Sequence, residues 1–272
     1  IRYASVTVVQ TCALSISQLV CVKCGPCLRG DYNVCQNLKV QGFQAPGCAQ
    51  DYFIVDEERV VVFPEHMSFD EGAFIEPASV GAHSTRRASD LRGKNVVVAG
   101  AGTIGNLIAQ FAKARGAAKV MITDLSDFRL SIAKKCGIEY TANVSEEPFA
   151  DALKRVFGDK GFQVGFEAVG VQPTMDSLVN NIEKGGEIVV AGVFEMAPTI
   201  NMAFVGEHEL KLIGTMMYKH EDYLEAVSML SEKKILVKPL ITNHFPFAGF
   251  LNAYKFIDEQ KDKTLKVIID VQ

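Results

Sequence analysis

The chain has 272 residues, with 28 Lys and Arg against 32 Asp and Glu, and its formal net charge at pH 7 is −4. A slightly acidic chain has no basic field that would attract nucleic acid or an anionic membrane, so we expect neither as a partner. Its 48% hydrophobic and 22% charged residues are typical of a globular protein, and no apolar run approaches the roughly 20 residues of a membrane-spanning helix.

The first 17 residues are unlike the rest of the chain. The stretch VTVVQTCALSIS resembles a translated sequencing adapter. The segment also lacks the charged start, long apolar core and cleavage site of a signal peptide. We therefore expect residues 1–17 to be a non-native artefact segment and Gln18 to begin the genuine reading frame. The natural protein would then have a further amino-terminal portion.

Four cysteines follow in the stretch CVKCGPCLRGDYNVC: Cys21, Cys24, Cys27 and Cys35. The glycines and the proline between them allow the tight fold that four thiolates need to hold one zinc ion, with no position left open for water. Such a zinc site is structural. An iron–sulfur cluster also uses CxxCxxC, but its fourth cysteine comes sooner and precedes a proline. Thiolates on a metal suit a reducing compartment, so we expect a cytoplasmic protein.

Strands and helices can be predicted along the rest of the chain. DYFIVDEERVVVFP contains two short β runs, and MSFDEGAFIEPASVGAHSTRRAS is typical of a helix with Pro77 in its first turn. From residue 95 onward, apolar strands alternate with amphipathic helices, from KNVVVAGAG and TIGNLIAQFAKARGA to ELKLIGT. A helix over EDYLEAVSMLSEKK and a strand over LKVIIDV follow. The alternation predicts an α/β fold whose parallel sheet is covered by helices on both faces.

A glycine-rich loop, GAGTIG, joins the first of these strands to its helix. In a dinucleotide-binding loop of this kind, Gly100 would allow the tight turn, Gly102 would let a diphosphate approach the backbone, and Gly105 would let the helix pack closely. The helix start, with Thr103 and Ile104, offers N–H groups to the phosphates. The alternative, a purely structural turn, is disfavoured because a strand precedes the loop and a helix follows it.

Asp124 ends the next strand, about 20 residues beyond the loop, where dinucleotide-binding folds place an acidic residue. A carboxylate there accepts hydrogen bonds from the ribose hydroxyls and repels a 2′-phosphate, which predicts NAD rather than NADP. Arg129 follows and would flank the adenine or the ribose. The alternatives are a plain helix cap for Asp124 and a solvated helix residue for Arg129.

The order of CVKCGPCLRGDYNVC, EP at 76–77 and GAGTIG resembles the zinc-dependent medium-chain alcohol dehydrogenases, and most of all their polyol branch of sorbitol (L-iditol) dehydrogenases. The resemblance covers about residues 18–272. It implies a Rossmann doubly wound parallel sheet inserted in a GroES-like, mostly-β catalytic domain that is incomplete at its amino terminus here. The catalytic domain would comprise residues 18–78 and 214–272, and the NAD-binding Rossmann domain residues 79–213.

The resemblance gives Glu76 a catalytic role. In polyol members, a Glu followed by Pro supplies a carboxylate to the catalytic zinc, so Glu76 becomes a candidate metal ligand. The alternative is a carboxylate that is favourable at the start of a helix. The other catalytic zinc ligands of the family are a Cys and the His of a Gly-His-Glu stretch, and neither has a match in this sequence.

The resemblance also assigns roles to further residues, although the motifs that carry these assignments are less specific. Val169, Gly192 and Val193 would touch the nicotinamide half of the cofactor, although they could also be ordinary turns at the sheet edge. Tyr218 would lie near the mouth of the cofactor and substrate site, with loop packing as the alternative. Lys266 would lie near the diphosphate, but an exposed strand lysine is the favoured interpretation.

The resemblance implies an oxidoreductase that uses NAD and zinc to oxidise a secondary alcohol of a polyol to a ketone. Its partner would be a small-molecule alcohol or polyol, and it would assemble as a homodimer or homotetramer. Threonine dehydrogenases and sugar-phosphate polyol dehydrogenases share these motifs and stay open as alternatives. So does binding of NAD and zinc without activity.

Overall fold

The structure is a computed structural model that describes residues 13–50 and 52–271. The chain divides into two compact units, and the boundary lies between Phe74 and Ile75. The predicted split of a catalytic domain around the Rossmann domain stays a prediction. Within the described ranges, no helix is both long and apolar enough to cross a membrane.

The first unit is built of short elements. They are β1 (Ala13–Ser15), β2 (Gln18–Leu19), α1 (Gly25–Leu28), β3 (Lys39–Val40), β4 (Val60–Val62) and α2 (Phe69–Ala73). Strand β1 pairs antiparallel with β4, and β2 pairs antiparallel with β3. Helix α2 begins with a capping box, in which Ser68 and Glu71 each accept a hydrogen bond from the backbone of the other.

One of the strands predicted for the first unit does not form. Of the two β runs predicted in DYFIVDEERVVVFP, only the second forms a strand, β4; the described residues 52–56 form none. That prediction was wrong because strand propensity alone does not fix a strand without a partner to pair with, and Ile54 is left exposed. The non-native origin of residues 1–17 stays a prediction, and most of that segment lies outside the described residues.

In the second unit, the described residues form a parallel sheet of six strands in the order β10-β9-β8-β5-β6-β7. Helix α3 (Ile75–Arg87) precedes the sheet. The remaining elements, in chain order, are β5 (Asn95–Ala99), α4 (Thr103–Ala114), β6 (Lys119–Asp124), α5 (Asp127–Lys135), β7 (Tyr140–Asn143), α6 (Phe149–Phe157), β8 (Val164–Glu167), α7 (Gln172–Val179), β9 (Glu187–Val190), α8 (Met202–Glu207) and β10 (Lys211–Gly214). The predicted parallel α/β sheet is confirmed.

The sheet is buried on both faces at its centre, where β5 is apolar and buried from Val96 to Ala99. Val96 and Val98 of β5 belong to one apolar cluster, which includes Ile108 of α4. Val97 and Ala99 belong to a second cluster on the opposite face. Successive side chains of a strand point to opposite faces, so a continuous apolar run is what a doubly covered parallel strand requires.

The strand order reverses beside β5. The chain runs from β5 through β6 to β7 on one side, then crosses back to β8 on the other side of β5. In open α/β sheets, a crevice forms at such a point, outside the carboxyl ends of the strands, and ligands bind there. The loop after β5 and the turn after β8 lie at this edge.

The end of the chain contains α9 (His220–Ser231), β11 (Ile241–Pro246), α10 (Phe250–Gln260) and β12 (Lys266–Asp270), with β11 and β12 paired in parallel. Helix α9 packs on α3 through a buried carboxylate, Asp222. Its Oδ2 accepts hydrogen bonds from the Lys219 N–H at 2.8 Å and from Nδ1 of His83 at 2.7 Å, and Arg86 Nε lies 2.9 Å from Oδ1. Burial acts to raise the pKa of Asp222, but these partners outweigh it and lower that pKa.

Candidate cofactor and metal sites

The glycine loop has the geometry that a dinucleotide-binding turn needs. Gly100 has a φ of +105°, a backbone conformation that favours glycine. A Cβ on Gly105 would overlap the carbonyl oxygen of Gly100, so the start of α4 packs directly on the loop. A Cβ on Gly102 would meet nothing within 4 Å, so the space beside this backbone is open. The three glycines are therefore required for different reasons, and only Gly102 faces room for a ligand.

Helix α4 begins at this opening. Gly102 is its N-cap and provides no side-chain hydrogen bond to the first turn. The N–H groups at the start of a helix, here those of Thr103 and Ile104, have no acceptor within the helix. The helix dipole adds partial positive charge at the same place, so a diphosphate fits this position.

Asp124, at the end of β6, lies against the glycine loop. Its Oδ2 accepts a hydrogen bond from the Ala101 N–H at 2.8 Å. Its Oδ1 accepts from the N–H groups of Leu125 at 2.8 Å and Ser126 at 3.0 Å. Arg129 Nη1 lies 4.0 Å from Oδ2, and the Asp124 side chain is 11% exposed. The carboxylate is thus held at the edge of the loop, where a ribose attached to the diphosphate would lie.

The residues predicted for the nicotinamide half lie on two neighbouring turns. Val169 follows β8 and Val193 follows β9, and they are 44% and 85% exposed. The Gly192 N–H donates to the Glu167 carbonyl at 3.0 Å. A Cβ on Gly100 would lie 2.5 Å from Val169 Cγ2. The structure therefore brings the predicted cofactor residues together along one edge of the sheet, while their role in binding stays a prediction.

The four clustered cysteines converge on one point. The sulfur atoms of Cys21, Cys24, Cys27 and Cys35 all lie within 4.8 Å of one another. Cys24 Sγ is 3.4 Å from Cys27 Sγ and 3.8 Å from Cys35 Sγ. A zinc ion with four sulfurs at about 2.3 Å places neighbouring sulfurs about 3.8 Å apart. The cluster fits a closed tetrahedral zinc site.

The surroundings of the cluster lower the thiol pKa at two of its four positions, Cys21 and Cys24. A backbone N–H hydrogen bond from Lys23 is the largest influence on Cys21 and lowers its pKa to about 6. The backbone N–H of Cys27 is the largest influence lowering the pKa of Cys24. Burial, followed by the neighbouring Cys24 thiol, raises the pKa of Cys27 to about 12. A cation at the centre would offset the cost of ionising the buried Cys27 thiol.

Glu76 is the second residue of α3 and is half-buried. Burial raises the pKa of Glu76, although a hydrogen bond with the Tyr218 side chain and the charge of Lys266 act in the opposite direction. Within the described residues, the four-cysteine cluster is the only place where three or more candidate metal ligands meet. One carboxylate does not hold a zinc ion, so these residues do not by themselves form a catalytic zinc site.

One buried acidic residue at the cofactor edge, Glu167, was not predicted from the sequence. Its side chain is fully buried at the end of β8 and hydrogen-bonds the turn that contains Val169. The available signal was a lone carboxylate in the otherwise apolar stretch VGFEAVG. Buried carboxylates are rare unless they have a partner, so this pattern could have identified Glu167 as a candidate functional residue.

Comparison with known proteins agrees with this geometry. A family described as zinc-binding dehydrogenase matches residues 103–232. The chain is 34% identical over 247 residues to sorbitol dehydrogenase 2 of Saccharomyces cerevisiae, covering 88% of this chain and 69% of that protein. The solved structure of L-idonate 5-dehydrogenase from Escherichia coli matches with a TM-score of 0.88 at 26% identity, over 95% of this chain and 75% of that one. A structure from Escherichia coli CFT073, described as a short chain alcohol dehydrogenase complexed with cofactor NADH, matches with a TM-score of 0.87 at 25% identity, over 94% and 75%.

These similarities extend well beyond single motifs. They cover 88% to 95% of this chain, and the matched proteins are named as dehydrogenases. The predicted oxidoreductase class and the predicted cofactors, NAD and zinc, are confirmed at the level of the family. The chain belongs to the zinc-dependent medium-chain dehydrogenases.

Proposed function

We propose that this protein oxidises a secondary alcohol of a polyol to a ketone, with NAD⁺ as the hydride acceptor. The proposal rests on one arrangement: the open backbone at Gly102 and the carboxylate of Asp124 lie at the ends of adjacent strands, in a chain similar to a sorbitol dehydrogenase. A diphosphate would bind at the start of α4, and Asp124 would accept hydrogen bonds from the ribose hydroxyls.

The turns after β8 and β9 would place the nicotinamide ring. Val169 and Val193 present exposed apolar side chains at the switch point of the sheet. NAD⁺ bound there would supply the hydride acceptor for the alcohol carbon, and the hydroxyl proton would pass to solvent. These turns would orient the nicotinamide ring, and their exposed apolar side chains would exclude water from it.

The zinc at Cys21, Cys24, Cys27 and Cys35 would be structural, since four thiolates leave no position for a substrate. Glu76 would be the carboxylate of the catalytic site. Because Glu76 belongs to no group of three or more candidate metal ligands within the described residues, binding of NAD and zinc without turnover is the second candidate for this chain. Metal analysis separates the two: one zinc per chain supports binding alone, and two would contradict it.

The substrate class can be tested on the full-length gene product by the absorbance of NADH at ~340 nm, which reports the hydride transferred to the cofactor. We expect turnover with sorbitol, xylitol or galactitol. Threonine and a polyol phosphate serve as the competing substrates, because the alternative dehydrogenases act on these classes. Turnover of threonine alone, with no activity on any polyol, would reject the proposed substrate.

Replacing Asp124 with serine is expected to relax the preference for NAD⁺ over NADP⁺. The substitution removes the negative charge that repels a 2′-phosphate, and a shift of on the order of tenfold in the ratio of the two dissociation constants corresponds to about 1.4 kcal/mol. Asp127→Ser is the matched control, since Asp127 is an exposed carboxylate three residues further on. Unchanged discrimination in Asp124→Ser would refute the ribose contact.

The proposal also includes the oligomeric state of the protein and its cellular compartment. We propose a homodimer or homotetramer, on the resemblance to the family, and a cytoplasmic location, on the four clustered thiols. Light scattering of the purified protein measures its mass in solution. A monomer at micromolar concentration would contradict the proposed assembly.

A further inference from the structure

Glu167 hydrogen-bonds the turn that follows its own strand. Its side chain is 0% exposed at the end of β8. Oε1 accepts hydrogen bonds from the Val169 N–H at 3.0 Å, the Gly170 N–H at 2.9 Å and the Thr174 hydroxyl at 2.7 Å. Three donors on one oxygen fix two successive peptide groups and the start of α7.

The second oxygen of Glu167 reaches the neighbouring turn. Oε2 is buried and has no hydrogen-bond partner among the described residues. It lies so close to Gly192 that a Cβ there would overlap it. The Glu167 carbonyl accepts from the N–H groups of Ala191 at 2.8 Å and Gly192 at 3.0 Å. A buried carboxylate oxygen without a partner has a desolvation cost that stability alone does not explain.

The turns after β8 and β9 are in close contact with each other, and the turn after β8 also borders the glycine loop. A Cβ on Gly170, whose φ is +87°, would overlap the carbonyl oxygen of Val193. Val169 lies against Gly100 on the other side, where a Cβ on Gly100 would be 2.5 Å from Val169 Cγ2. A displacement of the Val169 turn would therefore move Val193 as well, because the Gly170 backbone lies against the Val193 backbone, whereas the Val169 atom nearest to Gly100 is a side-chain methyl carbon.

We propose that Glu167 is a positioning residue for the nicotinamide half of the cofactor. Glu167 acts through Val169 and Val193, because it fixes the turns that carry their exposed side chains. The adenosine half of the cofactor is bound by the glycine loop and Asp124 instead. This inference rests on the proposed function, because it takes the turns after β8 and β9 as the nicotinamide site.

Calorimetric titration with NAD⁺ and with ADP-ribose, which lacks the nicotinamide, tests the inference. We expect Glu167→Ala to weaken NAD⁺ binding on the order of tenfold and ADP-ribose binding less than about threefold, because only the nicotinamide half depends on the held turns. Glu167→Gln keeps the shape and one acceptor oxygen, so it should weaken NAD⁺ binding less than Glu167→Ala does, by about threefold. The control is Glu187→Ala: Glu187 is also a buried carboxylate, bonded to the Ser89 N–H at 2.9 Å at the opposite end of the sheet, and its loss should leave the ratio of affinities unchanged.

Equal weakening of both ligands in Glu167→Ala, or an unchanged ratio, would overturn the inference, because a merely structural role moves both halves together. If Glu167→Ala does not fold, as judged by its circular dichroism, Glu167→Gln is titrated with NAD⁺ and ADP-ribose instead. It should weaken NAD⁺ binding about threefold relative to ADP-ribose, because one carboxyl oxygen is replaced by an amide NH2 that cannot accept a hydrogen bond, and an unchanged ratio overturns the inference. A wild-type protein that binds ADP-ribose but not NAD⁺ would also overturn it, whereas one that binds neither would overturn the proposed function itself.

Discussion

Replacing Gly105 with alanine is expected to lower the free energy of unfolding by about 3 kcal/mol and to abolish NAD⁺ binding. The added Cβ would overlap the carbonyl oxygen of Gly100. Both groups belong to the backbone, so no side chain can rotate away, and α4 would have to separate from β5. Urea denaturation and calorimetric titration with NAD⁺ measure the two effects.

Gly102→Ala is the matched variant for this prediction. A Cβ on Gly102 meets nothing within 4 Å, so the free energy of unfolding should stay within about 1 kcal/mol of wild type, the usual range for an altered N-cap. The methyl group would nevertheless occupy the space that the diphosphate needs, and NAD⁺ affinity should fall about 100-fold, or about 2.7 kcal/mol. Wild-type stability in Gly105→Ala, or wild-type NAD⁺ affinity in Gly102→Ala, would contradict the proposed role of the loop.

Replacing Cys24 with serine is expected to remove zinc from the first unit and to unfold the segment around it. Cys24 Sγ lies within 3.8 Å of two other sulfurs, so its loss leaves an incomplete ligand set. Metal binding and folding are coupled in small thiolate sites, where the ion contributes on the order of 10 kcal/mol. Elemental analysis after dialysis should show zinc falling from about one ion per chain to near zero.

Cys48→Ser provides the control for the zinc prediction. Cys48 is exposed and lies outside the four-sulfur cluster. This variant removes a thiol of the same chemistry, so its zinc content and its reactivity toward a thiol reagent at the cluster should match wild type. Full zinc content in Cys24→Ser, or loss of zinc in Cys48→Ser, would refute the four-cysteine site.

The sheet and the metal cluster were predictable because their signals are local. Strand β5 is apolar from Val96 to Ala99 and is followed by Gly100, and burial on both faces requires such an apolar run. The four cysteines are close in sequence, so their spacing alone predicts that the sulfurs converge. The glycine loop is likewise a short motif between a strand and a helix, and its context is readable from the chain.

Other features depend on contacts between distant parts of the chain. The pairing of β8 with β9 brings Gly192 beside Glu167, and no local pattern shows it. The same holds for the hydrogen bond between Glu76 and Tyr218, which needs α3 and the segment before α9 to meet. Strand β11 was not predicted because ITNHFP mixes polar and apolar residues, and its pairing with β12 stabilises it instead.

The central claim is that a nicotinamide dinucleotide binds with its diphosphate at the start of α4. Calorimetric titration of the folded wild-type chain with NAD⁺ tests it most directly. We predict saturable one-to-one binding with a dissociation constant in the millimolar range or below, and competition by ADP-ribose. The absence of any heat from NAD⁺ or NADH at millimolar concentrations would contradict the claim, whatever the zinc content of the protein.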